Sequence, residues 1–160
     1  MNLYLVQHAK AKPAEADAER PLTEEGMVDA RLVASFVARN TGTRVTTILH
    51  SGALRAEQTA AIFAEYLAPP KGVRQEKELN PGSQPWSWVE RLSELQEDIL
   101  IVGHLPHLRR LGSLLLCQDE GKNVIDYQNA GVVSLARNES GIWTLRWFVT
   151  PHIVPKIQHR

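Results

Sequence analysis

The chain has 160 residues, 43% of them apolar and 22% charged, and its 18 basic and 18 acidic residues cancel. That length predicts one domain over residues 1–160, burying roughly 70% of its unfolded surface and needing no metal or disulfide to fold. Zero net charge excludes nucleic acid and anionic membrane as dominant partners, no apolar run reaches the ~18 residues of a membrane span, and a lone cysteine, Cys117, fits a reducing cytoplasm.

Residues 2–7 read as a first strand, an apolar run without alternation that ends at Gln7-His8. Such a run is expected in the middle of a parallel sheet, covered on both faces. Residues 9–22 are a polar loop. Thr23 is a good N-cap for a helix with Glu24 and Glu25 in its first turn and Met27, Ala30, Val33 and Val37 among its apolar positions. Asn40-Thr41-Gly42 stops it. Val45–Leu49 is a second strand, followed by His50-Ser51 and a helix over 53–67 that Pro69-Pro70 closes. A short strand is expected within Val73–Leu79, and Asn80-Pro81-Gly82-Ser83 predicts a loop. The spacing of Trp86, Val89, Leu92 and Leu95 predicts one face of a third long helix. A strand over 99–103 ends at His104, and a helix runs from about Pro106 to Cys117, whose thiol is expected in the core. Residues 130–136 and 142–148 form a hairpin, and the tail from Pro151 is expected on the surface.

Strands alternating with helices predict a largely parallel α/β sheet with its site at the carboxyl ends of the strands. Two of those ends deliver His8 and His104 to that edge. A strand-end histidine taken alone is more often structural than catalytic. Arg55 sits in the first turn of a helix, where free N–H groups and the helix dipole attract anions, and its fork matches phosphate oxygens. Taken alone it reads as a solvated surface residue. Ser51 lies in the same strand-to-helix turn and is a candidate substrate contact. Arg20, in the segment Arg20-Pro21-Leu22-Thr23, can reach the pocket from the loop.

The segments LVQHAKA, RPLTEEG, HSGALRAEQTA, ELNPG and VGHLPHL together resemble the histidine phosphatase superfamily, and within it the small phosphohistidine phosphatases of the SixA type. The resemblance covers nearly the whole chain. It implies a three-layer α/β/α sandwich with a mostly parallel central sheet, like that of phosphoglycerate mutase. It implies a phosphatase in which His8 attacks phosphorus to form a phosphohistidine intermediate that water then hydrolyses. Arg55 and His104 would bind the equatorial oxygens. Arg20 would contact phosphate or substrate, and Glu78 is the nearest match to the family's proton donor. No cofactor or metal is implied. The expected partner is a phosphorylated protein, such as a histidine-containing phosphotransfer domain, with inorganic phosphate as product. A monomer in the cytoplasm is expected. A short chain leaves the edge open, and Trp86 and Trp88 are candidates for its rim, one inside and one outside.

One residue departs from the family pattern. Its first motif carries Arg before the nucleophilic histidine, and here Gln7 stands there. An amide donates hydrogen bonds but carries no charge. Lys10 or Lys12, in the loop just after His8, is the candidate to supply the missing charge, with Arg109 behind them. The alternative is a catalytically weakened module of the same fold that binds phosphate or phosphohistidine. A mutase is disfavoured because the chain is too short for a capped pocket.

Overall fold

The computed structural model describes residues 1–156 of the chain. Its elements are β1 (Asn2–Gln7), α1 (Glu24–Asn40), β2 (Thr47–His50), α2 (Leu54–Leu67), β3 (Val73–Gln75), α3 (Trp86–Glu94), β4 (Ile99–Gly103), α4 (His107–Cys117), β5 (Val132–Arg137) and β6 (Trp143–Val149), with a 3-10 turn at Lys77–Leu79. The strands form one sheet in the order β3-β2-β4-β1-β5-β6. The pairs β3-β2, β2-β4 and β4-β1 are parallel, and β5 and β6 add antiparallel strands at one side. Both faces are covered, so side chains alternating along each strand enter two different cores. Tyr4, Val6, Ile48, Leu100 and Val102 pack against α1 and α2, while Leu3, Leu5, Leu49, Ile99 and Ile101 pack against α3 and α4. This is the expected α/β/α sandwich. Among the described residues, no helix is long and apolar enough to cross a membrane.

Local chemistry explains the element ends. The Thr23 hydroxyl accepts the Gly26 N–H and caps α1. At Gly26 a Cβ would lie 2.2 Å from the Lys10 carbonyl oxygen. Glycine there lets the first turn of α1 press onto the chain just after His8. The Lys10 carbonyl also accepts the Thr23 N–H at 2.9 Å, so the two ends of the 8–23 loop are tied together.

The segment from Val73 to Leu79 holds the expected short strand, over Val73–Gln75, followed by a 3-10 turn. Three expectations are corrected. α3 is short, ends at Glu94, and presents Trp88 and Leu92 to the core, with Val89 and Leu95 only half-buried and Trp86 exposed. The reason is polar: the Trp88 indole N–H donates to the Glu78 carbonyl at 3.1 Å, which lets that ring be buried. Cys117 is exposed, because the apolar stripe of α4 runs through Leu108, Leu111 and Leu115 and residue 117 falls off it. The tail does not simply lie on the surface: Pro151 is buried and Val154 enters the core with α1 and α2. Residues 157–160 lie outside the described part.

Gly26→Ala should therefore destabilise the fold by about 1–3 kcal/mol through overpacking against a backbone carbonyl. A lower urea midpoint with an unchanged slope is the expected result, and an unchanged midpoint would contradict this packing.

Candidate active site

Strand register builds the site. Gln7 of β1 pairs with Gly103 of β4, and His50 of β2 pairs with Val102. The residues that follow each strand therefore emerge at one level, with His104 between His8 on one side and Ser51 on the other. The ladder extends one step further, since the His8 N–H donates to the Gly103 carbonyl at 3.1 Å. The ring centroids of His8 and His104 are 5.0 Å apart.

Each imidazole is oriented by a neighbour. Nδ1 of His8 lies 2.8 Å from the Ala9 carbonyl oxygen. A carbonyl only accepts, so Nδ1 carries the proton, and the lone pair of the neutral ring sits on Nε2. Nε2 of His104 bonds the Ser51 hydroxyl at 2.6 Å, with both groups buried. The same hydroxyl accepts the Ala53 N–H at 3.3 Å. Ser51 is thus engaged within the protein, holding His104 rather than standing free for substrate. Burial is the main reason that the His8 pKa falls to about 4; the Ala9 carbonyl opposes this, and Arg55 and Arg20 reinforce it. Burial likewise takes His104 down to about 3, with His8, Arg55, His107 and Arg20 adding to it. Both rings are neutral at pH 7.

The arginines come from different elements. Arg55 opens α2, whose N-terminus has no side-chain cap, and its Nε is buried without a partner. Arg20 adopts a left-handed backbone, φ 52, a conformation that costs a non-glycine residue on the order of 1 kcal/mol. Its Nε donates to the Lys12 carbonyl at 3.1 Å. Its charge acts on His8, Arg55 and His104 alike, so it belongs to the same cluster. α2 also fixes the loop between them: the Gln58 side chain accepts the Leu22 N–H at 2.8 Å, and Thr59 accepts the Ala9 N–H at 3.0 Å. Gln7 ends β1 with its amide oxygen buried and unpartnered. Among the described residues, no carboxylate is among the charges acting on His8 or His104. The arrangement sets two guanidinium charges and a second neutral ring around a free imidazole lone pair, which suits an anion.

One expected residue is engaged elsewhere. Lys10 forms an exposed ion pair with Glu25 at 2.7 Å, because α1 starts directly beside it. It does not replace the missing arginine. Glu78 is exposed on the 3-10 turn, where only its backbone carbonyl is engaged, by Trp88. Arg109 acts on Tyr127, in the loop before β5. His50 is buried and accepts the Gly52 N–H at 3.0 Å, a turn contact. His107 is fully buried with neither ring nitrogen bonded. One contributor had no sequence signal: the Asn129 amide donates to the His8 carbonyl at 2.8 Å from 121 positions away. Among the described residues, no cluster of three or more His, Cys, Asp or Glu has the geometry to hold a metal ion.

Buried neutral histidines make stability depend on pH. His8, His104 and His107 have pKa values of about 4, 3 and 4 in place of the ordinary 6.5. Below pH 6.5 the unfolded chain takes up protons at these rings and the native protein does not, so stability is lost as pH falls from about 6.5 to about 4. Urea midpoints at pH 7, 5.5 and 4.5 should fall in that order; a flat profile would contradict the burial described here.

A sequence model of the histidine phosphatase superfamily (branch 1) matches residues 3–84. The phosphohistidine phosphatase SixA of Escherichia coli (strain K12) is 27% identical over 156 residues, 94% of each chain. A solved structure of the protein histidine phosphatase SixA complexed with tungstate superposes with a TM-score of 0.83 at 27% identity, over 95% of this chain and 98% of that one. The alpha-ribazole phosphatase of Shigella flexneri shares the fold, with a TM-score of 0.74 at 19% identity over 99% and 100% of the two chains. The family match runs through His8, Arg20 and Arg55 alike, and the chain belongs to the histidine phosphatase superfamily.

Proposed function

We propose that the chain is a protein phosphohistidine phosphatase that works through a covalent intermediate on His8. The observation that carries this is the Nδ1 contact of His8 with the Ala9 carbonyl, which leaves Nε2 unprotonated in a pocket of positive charge. In the first step the Nε2 lone pair attacks phosphorus. The bond from phosphorus to the substrate histidine breaks, and the departing imidazole keeps that electron pair, having taken a proton from solvent. In the second step water attacks the phosphoryl group, Nε2 leaves, and phosphate is released. Arg55, Arg20 and the His104 ring face the three oxygens on which charge accumulates. The scheme uses only water as co-reactant, and its cations are the two guanidiniums.

The substrate class follows from what surrounds the nucleophile. An alkoxide leaving group needs a well-placed acid, and no carboxylate, Glu78 included, is among the charges acting on His8 or His104. A phosphoramidate nitrogen is protonated readily and then leaves as a neutral imidazole. The site therefore suits a phosphorus–nitrogen bond better than a phosphate ester. The named activity of the Escherichia coli relative, a phosphohistidine phosphatase, supports the same reading, as does the neighbouring structure with tungstate, an oxyanion of phosphate-like shape.

Gln7 favours a second reading, a binding module with little turnover. Its amide supplies no charge to the clamp, and Lys10 is committed to Glu25. Removing one charged donor from such a clamp costs on the order of 3 kcal/mol, about a hundredfold in rate.

The deciding experiment uses a phosphorylated histidine-containing phosphotransfer protein with the wild type, Gln7→Arg and His8→Ala. The phosphatase reading expects turnover by the wild type, an increase of up to about a hundredfold in Gln7→Arg, and neither turnover nor trapped label in His8→Ala. A wild type as inert as His8→Ala, with activity appearing only in Gln7→Arg, establishes the binding module. Ser51→Ala, which frees Nε2 of His104, should lower kcat by about tenfold, the worth of one buried hydrogen bond. An unchanged kcat would remove Ser51 from any positioning role.

A further inference from the structure

The backbone around the nucleophile is held one polar atom at a time. The His8 N–H donates to the Gly103 carbonyl of β4 at 3.1 Å. On the other side of β1 the regular ladder has already ended, since Val6 is the last residue that pairs with β5, opposite Val132. The chain before β5 takes over. The Ala130 N–H donates to the Gln7 carbonyl at 2.9 Å, and the Asn129 side-chain N–H donates to the His8 carbonyl at 2.8 Å. A side-chain amide there does what the N–H of a further strand residue would do.

The other half of the same peptide is also taken. The Ala9 N–H donates to the Thr59 hydroxyl at 3.0 Å, and that hydroxyl donates in turn to the Arg55 carbonyl at 2.8 Å. Ala9 and Thr59 are both fully buried. The peptide unit between His8 and Ala9 thus has its carbonyl held by Asn129 and its N–H held by Thr59, from two separate segments. This peptide is the covalent bridge between the His8 imidazole and the Ala9 carbonyl that Nδ1 contacts. When it rotates, that carbonyl moves away from Nδ1, and nothing then selects which ring nitrogen carries the proton.

Holding Asn129 in place takes an unfavourable backbone. The Gly131 N–H closes a turn on the Gln128 carbonyl at 2.9 Å. The third residue of that turn, Ala130, is fully buried with φ 62, at a place that glycine or asparagine usually fills. A left-handed residue with a Cβ persists only where its surroundings over-determine it, and such residues cluster at functional sites. Here the turn delivers hydrogen bonds to Gln7 and to His8.

We propose that Asn129 is a positioning residue for the nucleophile: by holding the His8 carbonyl it fixes the His8–Ala9 peptide, keeps the proton on Nδ1 and leaves Nε2 free to attack phosphorus. This rests on the reading of His8 as the nucleophile and adds the residue that fixes its tautomer. Asn129 acts through His8 and makes no demand on the substrate.

Two measurements on the full chain test it. Asn129 is exposed, so Asn129→Ala and the near-isosteric Asn129→Leu leave the core intact. Nitrogen NMR of protein labelled at its histidines reads the His8 tautomer at pH 7, the signal being assigned by its absence in His8→Ala. The wild type is expected to carry the proton on Nδ1, and both Asn129 variants should move part of the population to Nε2–H. Gln128→Ala removes the neighbouring amide, which donates to the Asp126 carbonyl, and should leave the tautomer as it is. An unchanged tautomer in the Asn129 variants overturns the proposal, and so does an equal change in Gln128→Ala, which assigns the effect to the loop as a whole. In the second measurement, kcat of Asn129→Ala on a phosphorylated histidine-containing phosphotransfer protein should fall about threefold to tenfold with KM unchanged, the worth of one hydrogen bond. A change confined to KM overturns the proposal, because it places Asn129 against substrate. The tautomer measurement needs no turnover, so it decides the role of Asn129 even if the wild type is inactive. A wild-type ring protonated on Nε2 overturns both this proposal and the nucleophile reading beneath it.

Discussion

The parallel register of β1, β4 and β2 is the constraint on which the site depends. Gln7 opposite Gly103 and His50 opposite Val102 set three strand ends at one level. A slip of one residue would turn every side chain of β1 to the other face and carry His8 away from His104. The slip is resisted from both sides, because Leu3 and Leu5 fill one core while Tyr4 and Val6 fill the other. The juxtaposition of the two rings is a by-product of filling two apolar layers at once.

Burial then sets the chemistry that the register makes possible. The imidazoles are placed where water cannot readily stabilise their charged forms, and two guanidiniums are added beside them. Both effects act in the same direction and keep the rings neutral. The positive charge comes from Arg55 on α2 and Arg20 on the loop, and α2 holds that loop through Thr59 and Gln58. One helix thereby aligns two of the site's elements. The uncommon backbone of Arg20 is tolerated because that loop is pinned at both ends.

Gln7 changes the charge of this strand end and not its backbone. The Ala130 N–H bonds the Gln7 carbonyl at 2.9 Å, while the side chain is an uncharged amide whose oxygen is buried without a partner.

Much of this was legible in the sequence. Unbroken apolar runs identified the inner strands β1 and β4 to the residue, since a strand covered on both faces has no alternation to blur its ends. The Thr23 cap marked the start of α1 because capping is a local event. His8, Arg55 and His104 were readable from motif and strand end. Other features depended on contacts between distant segments. The inner face of α3 was misassigned because Trp88 is buried only when the Glu78 carbonyl is there to take its N–H. Lys10 was misjudged because Glu25, which captures it, reaches it only when α1 packs onto the loop through Gly26. Asn129 left no trace because its partner is 121 positions away. The sequence by itself determined the strands, most of the helices and the candidate side chains, for these follow from spacing and local propensity. Only the tertiary structure decided which of those side chains stand together, because that depends on strand register and on which polar groups are already taken.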